Sequence, residues 1–349
     1  MRPVLLMESL MTTSRDLRRL GVRWLAPAVV SAVLSAVLLT ACGGNTSQVS
    51  AFRPDRVIAF GDENSVIDDD RGGIGSHDGN GFKYTINDRS TSGSDCRASP
   101  IIAQSVASHY GFVFAECNPT ALTPKAFIRA IAGAQVEDPL TGLAAQRAAV
   151  ANLGPTDLVT VMIGGNDIIA LYERVRAGTM TGGEAINEAK RRGNVAADQI
   201  AAMLAAGARA LVMTVPDISL SPYASNAAKT DSNAISLLYK LSFDYNGSLR
   251  TRIRPDDGRY WGLVLGDDAV TAMHKTPRNF LGLPPNVVDA ACTTVDPRDC
   301  VLASAPAIST LVAGATLSNY LWASDRHIGL AAHLRIGQQA VARAINNPF

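Results

Sequence analysis

Apolar and polar positions alternate along the chain in two rhythms. Short apolar runs are stopped by Gly or Pro. Arg56-Val57-Ile58-Ala59-Phe60 stops at Gly61-Asp62, the run 158–163 stops at Gly164-Gly165, and the run 209–215 stops at Pro216-Asp217. A fourth run spans 261–265. Continuous apolar runs of this length predict strands buried on both faces. Between them the spacing becomes helical. It predicts helices over 100–109, 143–152, 168–176, 182–206 (with a candidate break at Gly193), 232–254 and 328–346. Strands alternating with helices predict an α/β fold, a central parallel sheet with helices on both faces. In such sheets ligands bind beyond the carboxyl ends of the strands. The polar stretch from Asp68 to Asp95 predicts a long loop. No internal repeat or second-domain linker interrupts the pattern.

The beginning of the chain follows a different rule. An Arg-rich stretch precedes the apolar segment of 16 residues from Trp24 to Leu39, which ends in Leu39-Thr40-Ala41-Cys42-Gly43. A membrane-spanning helix needs about 20 apolar residues. A shorter run with basic residues before it and small ones after it predicts an export signal. Leu-Thr-Ala-Cys resembles the bacterial lipobox, which makes Cys42 the expected lipidation site. The expected organisation is a signal over 1–41, a tether over 42–55 and one domain over 56–349. The expected location is the bacterial cell envelope, by a lipid anchor in the membrane (the outer membrane in a Gram-negative source).

Hydrophobic residues make up 47% and charged residues 18%, which excludes a disordered chain. The whole chain carries a formal charge of +1, and the leader takes the positive excess with it through Arg2, Arg15, Arg18, Arg19 and Arg23. No basic field remains for nucleic acid, so none is expected as a partner. Cys96, Cys117, Cys292 and Cys300 are left after Cys42. In an exported protein an even number predicts disulfides. Three connectivities are open, and local pairing of Cys96 with Cys117 and Cys292 with Cys300 is the simplest. No zinc spacing is present, and no metal or cofactor is expected.

Four blocks sit at the predicted strand ends or close to them: Phe60-Gly61-Asp62-Glu63-Asn64-Ser65, Ala132-Gly133-Ala134-Gln135, Gly164-Gly165-Asn166-Asp167 and Asp325-Arg326-His327. In this order they resemble the GDSL, or SGNH-hydrolase, family of esterases and lipases. The resemblance implies a flavodoxin-like three-layer sandwich and a serine ester hydrolase working through an acyl-enzyme, on a lipid, a short-chain ester or an acetylated glycan. It implies His327 as base and Gly133 with Asn166 as oxyanion hole. Ester hydrolysis needs such parts: a nucleophile, a base and donors aimed at the developing oxyanion.

Two positions depart from the family pattern. Read without a gap, Glu63 stands at the nucleophile position. A two-residue insertion would instead align Ser65-Val66-Ile67-Asp68 and make Ser65 the nucleophile, which is the expectation adopted, with Glu63 as the alternative. The family has Asp three residues before its His, where this chain has Ser324; Asp325 is the expected orienting carboxylate. The rival reading is a catalytically degraded relative that binds or supports rather than hydrolyses. Among the other histidines, His333 is expected to pack or cap, His77 to be solvated, and His109 and His274 to end helices.

Overall fold

The computed structural model describes residues 52–70, 77–253, 259–304 and 308–346. The predicted signal, Cys42 and most of the tether lie outside these residues.

Five parallel strands form the central sheet: β1 (Arg56–Gly61), β2 (Ala126–Ile128), β3 (Asp157–Met162), β4 (Arg209–Met213) and β5 (Trp261–Val264). Their spatial order is β2-β1-β3-β4-β5. Strand side chains alternate between faces, and here each face meets its own helices. On one side Ile58, Phe60, Val159, Val161, Ala210 and Val212 share a core with α2 (Leu143–Ala148), α3 (Gly165–Arg176), α4 (Gly182–Ala205) and α5 (Ala234–Arg252). On the other, Val57, Ala59, Leu158, Met162, Leu211, Met213 and Val264 share one with α1 (Ile102–His109), α6 (Gly266–Lys275) and α7 (Leu330–Asn346). This is the expected three-layer α/β arrangement.

The sequence explains several boundaries. Thr181 and Glu184 cap one another reciprocally, which fixes the start of α4. At Gly193 α4 runs on without a break. A Cβ there would stand 2.4 Å from the Tyr245 carbonyl oxygen, so this glycine serves the close approach of α4 to α5. Helix α3 begins three residues earlier than its apolar spacing predicts, because Ile168 N–H bonds to Gly164 O and draws the polar first turn into the helix. Strand β2 and helix α6 escaped the apolar pattern.

The polar stretch 68–95 is only partly a solvated loop. Ile67–Asp68 pairs with Phe82–Lys83, and Asn87–Arg89 pairs with Val301–Ala303. Lys83 is fully buried, and its ammonium donates to the carbonyls of Cys96 and Ser99 and to Ser99 Oγ. His77 is exposed beside Asp69. The disulfides are Cys96–Cys117 and Cys292–Cys300, the local pairing.

Candidate active site

The site forms where β1 and β3 end. Gly61 closes β1 at φ +131°, and a Cβ there would overlap the Met162 carbonyl at 1.9 Å. Only glycine lets the two strand ends come this close. Gln146 holds the same peptide from the side: its Oε1 accepts from Gly61 N–H at 2.8 Å, and its Nε2 donates to Gly61 O at 2.8 Å. Asp62 then starts a 3-10 turn over Glu63–Ser65, its Oδ1 accepting from Asn64 N–H at 3.1 Å. Glu63 takes the first position of the turn and points into the site.

Two donors reach the Glu63 carboxylate from separate elements. Gly133 N–H donates to Oε2 at 2.9 Å, and Asn166 Nδ2 donates to the same oxygen at 2.8 Å. His327 Nε2 lies 3.3 Å from Oε1. Burial alone would raise the Glu63 pKa, but the bond and charge of His327, with Gly133 N–H and the Asn166 amide, outweigh it and hold the carboxyl at about 2. Asp62 behaves in the opposite way. Burial first, then the Glu63 charge, push its pKa well above the carboxylate range.

The structure thus brings Gly133, Asn166 and His327 together, and the residue they share is Glu63. Ser65 is only 2% exposed and lines neither of the two cavities that Glu63 lines. No hydrogen bond joins Asp325 to the imidazole: its carboxylate binds the Arg326 guanidinium at 3.0 and 3.1 Å and accepts from Ser324 Oγ at 3.4 Å. Ser324 fills the place expected for Asp325: its Oγ lies 2.6 Å from His327 Nδ1 and accepts from His327 N–H at 3.3 Å. One residue of spacing decides this, as the family pattern of three residues before the His already indicated.

Asp167 stands in the Gly164-Gly165-Asn166-Asp167 block, but its partners Val136 and Arg192 carried no sequence signal. Asp167, fully buried in the first turn of α3, accepts from Val136 N–H at 3.1 Å and from Arg192 Nη1 at 2.9 Å. It ties the Gly133 loop to the helix that carries Asn166. Burial raises its pKa to about 6 against the pull of Arg192 and Val136 N–H. His333 packs fully buried on α7, and burial lowers its pKa to about 3.

An open cleft of about 580 Å³ fronts the site. Its walls include Glu63, Gly133, Ser324, Arg326 and His327. Tyr84 covers the imidazole at 5.7 Å between ring centres. The opposite wall is the disulfide-closed segment, through Cys292, Thr294, Val295 and Pro297.

The family model for GDSL-like lipase/acylhydrolase matches residues 57–255. No curated protein matches the sequence. Among solved structures, an alpha/beta hydrolase enzyme from the metagenome of Lake Arreo, Spain, is 14% identical over 85% of this chain and 98% of its own, with a TM-score of 0.41. A catalytic mutant of an acetylxylan esterase from Geobacillus stearothermophilus is 13% identical over 84% and 95%, with a TM-score of 0.42. Another variant of that esterase is 13% identical over 86% and 98%, with a TM-score of 0.43.

Proposed function

Since the chain belongs to the GDSL-like lipase/acylhydrolase family, we propose that it is a carboxylic ester hydrolase acting through an acyl-enzyme at the His327 cleft. One observation carries this reading. A backbone N–H, a side-chain amide and an imidazole from three separate segments converge on one carboxylate oxygen pair. Donors fixed in this way suit a negatively charged oxygen, the species that ester hydrolysis must stabilise. His327 supplies the base within hydrogen-bond reach of an open cleft. The volume of that cleft suits small acyl groups and the ends of larger esters.

Purified protein should turn over p-nitrophenyl acetate or butyrate, and His327→Ala should lower the rate by about 100-fold or more. A second reading rests on Glu63 itself, which already occupies both donors: a binding protein that retains the pocket without turnover. Absence of any His327-dependent hydrolysis across acyl lengths would favour it.

The anchor belongs to the same proposal. Lipid on Cys42 would hold the domain at the envelope membrane, where lipid esters and acetylated glycans are at hand. Cys42→Ser should move the protein out of the detergent phase, and unchanged partition would count against the anchor.

A further inference from the structure

His327 is held at both ring nitrogens, and the two partners differ in kind. Nε2 faces the Glu63 carboxylate at 3.3 Å. That carboxylate is ionised, so it can only accept, and Nε2 must carry a proton. In the neutral imidazole Nδ1 is then the bare acceptor, and Ser324 Oγ, 2.6 Å from it, is the donor, with Asp325 Oδ1 a more distant second acceptor of the same hydroxyl at 3.4 Å. This is a hydroxyl–imidazole–carboxylate relay on the wall of an open cleft. The carboxylate stands where the family places its serine, and the serine where the family places its aspartate.

We propose that Ser324 is the nucleophile, that His327 Nδ1 is its base, and that Glu63 is the carboxylate that orients and stabilises the imidazolium. The proposal rests on the ester-hydrolase reading and names the residue through which it runs. Either ring nitrogen can serve as base, because the requirement is a bare lone pair on one side and a carboxylate on the other. The Gly133 and Asn166 donors then have a changed duty: they fix the Glu63 carboxylate. Arg326, the cation among the described residues lining the cleft and paired with Asp325, would be the group to meet the new oxyanion.

The chemistry balances without a further reactant. Ser324 Oγ attacks the ester carbonyl carbon while its proton passes to His327 Nδ1. The tetrahedral intermediate expels the alcohol oxygen, which takes that proton, and leaves an acyl group on Ser324. Water then attacks the acyl carbon, giving its proton to Nδ1. The second intermediate releases the acid, and the proton returns to Ser324.

The experiment is fluorophosphonate labelling with peptide mapping, run beside ester turnover on the full mature chain. The expected adduct lies on the peptide bearing Ser324, and Ser324→Ala should abolish it and lower turnover about a thousandfold. Ser324→Cys, which keeps a nucleophile, should be alkylated at that thiol by iodoacetamide in a His327-dependent way. Exchanging both ends, Glu63→Ser with Ser324→Asp, should rebuild the family arrangement and move the adduct to position 63. An adduct on Ser65, or full turnover in a folded Ser324→Ala protein, would overturn the proposal and leave the ester-hydrolase reading standing. A wild-type chain with neither turnover nor adduct would overturn both.

Discussion

At the scale of single residues, the site turns on a buried carboxylate that stays ionised. The Glu63 pKa of about 2 lies below the ordinary value of about 4.3. A depressed carboxylate adds stability that is fully present above its unfolded pKa and is lost as pH falls through the folded one. Melting temperatures of wild type and Glu63→Gln should therefore differ by a constant amount from pH 7 to about 5. The gap, equivalent to about 1–3 kcal/mol, should close as pH falls toward 2. A gap that widens on acidification would mean that Glu63 is protonated in the fold. Whether the turn after β1 held an insertion was not legible in the sequence, because a loop accepts either spacing at little cost. In the structure Glu63, two residues after Gly61, is the one that faces Gly133, Asn166 and His327, while Ser65 lines neither cavity. Ser324 was visible as a departure from the pattern, but a hydroxyl at that position has no chemical meaning until the imidazole orientation is known.

Among the elements, those of the central sheet were the easiest to foresee. Strands β1, β3 and β4 are covered on both faces, so burial forces nearly every position to be apolar and leaves a continuous run. The three-residue edge strand β2 is too short to leave such a mark. The segment around Lys83 and Asn87 looked like a loop for the opposite reason: its buried groups are polar and satisfied by hydrogen bonds, with Asn87 Nδ2 donating to Lys83 O and Thr85 O. Composition cannot report burial of that kind. Gly193 misled in a third way, since glycine lowers helix propensity by about 1 kcal/mol relative to Ala yet here sits where α4 and α5 approach too closely to admit a Cβ. Gly193→Ala should accordingly destabilise the fold by about 1–3 kcal/mol despite the better helix former, since α5 must shift to admit the methyl group. Urea unfolding will read this as a lower midpoint, and an unchanged or higher midpoint would show that the two helices separate freely.

For the molecule as a whole, the parts of the site come from both ends of the described chain. Glu63 follows the first strand of the sheet, while Ser324 and His327 precede the last helix, so the site assembles only when the sheet is complete. The cleft needs one thing more. Its far wall is the segment between Cys292 and Cys300, which rests on the backbone next to Ser324 through Cys292 N–H to Ala323 O at 3.0 Å. Closing so short a loop contributes about 2–3 kcal/mol. Cys96 and Cys117 are both buried, whereas of the other pair Cys300 is buried but Cys292 faces the cleft, so gentle reduction should open the Cys292–Cys300 bond first, through Cys292 Sγ. Ester turnover should then fall while far-UV circular dichroism stays unchanged. Full turnover after both thiols are alkylated would show the wall to be dispensable. If turnover does fall on reduction, a newly made chain kept among reductants should fold with Glu63, Ser324 and His327 in place and gain competence only when the Cys292–Cys300 bond closes, so that oxidation rather than folding would time its activity.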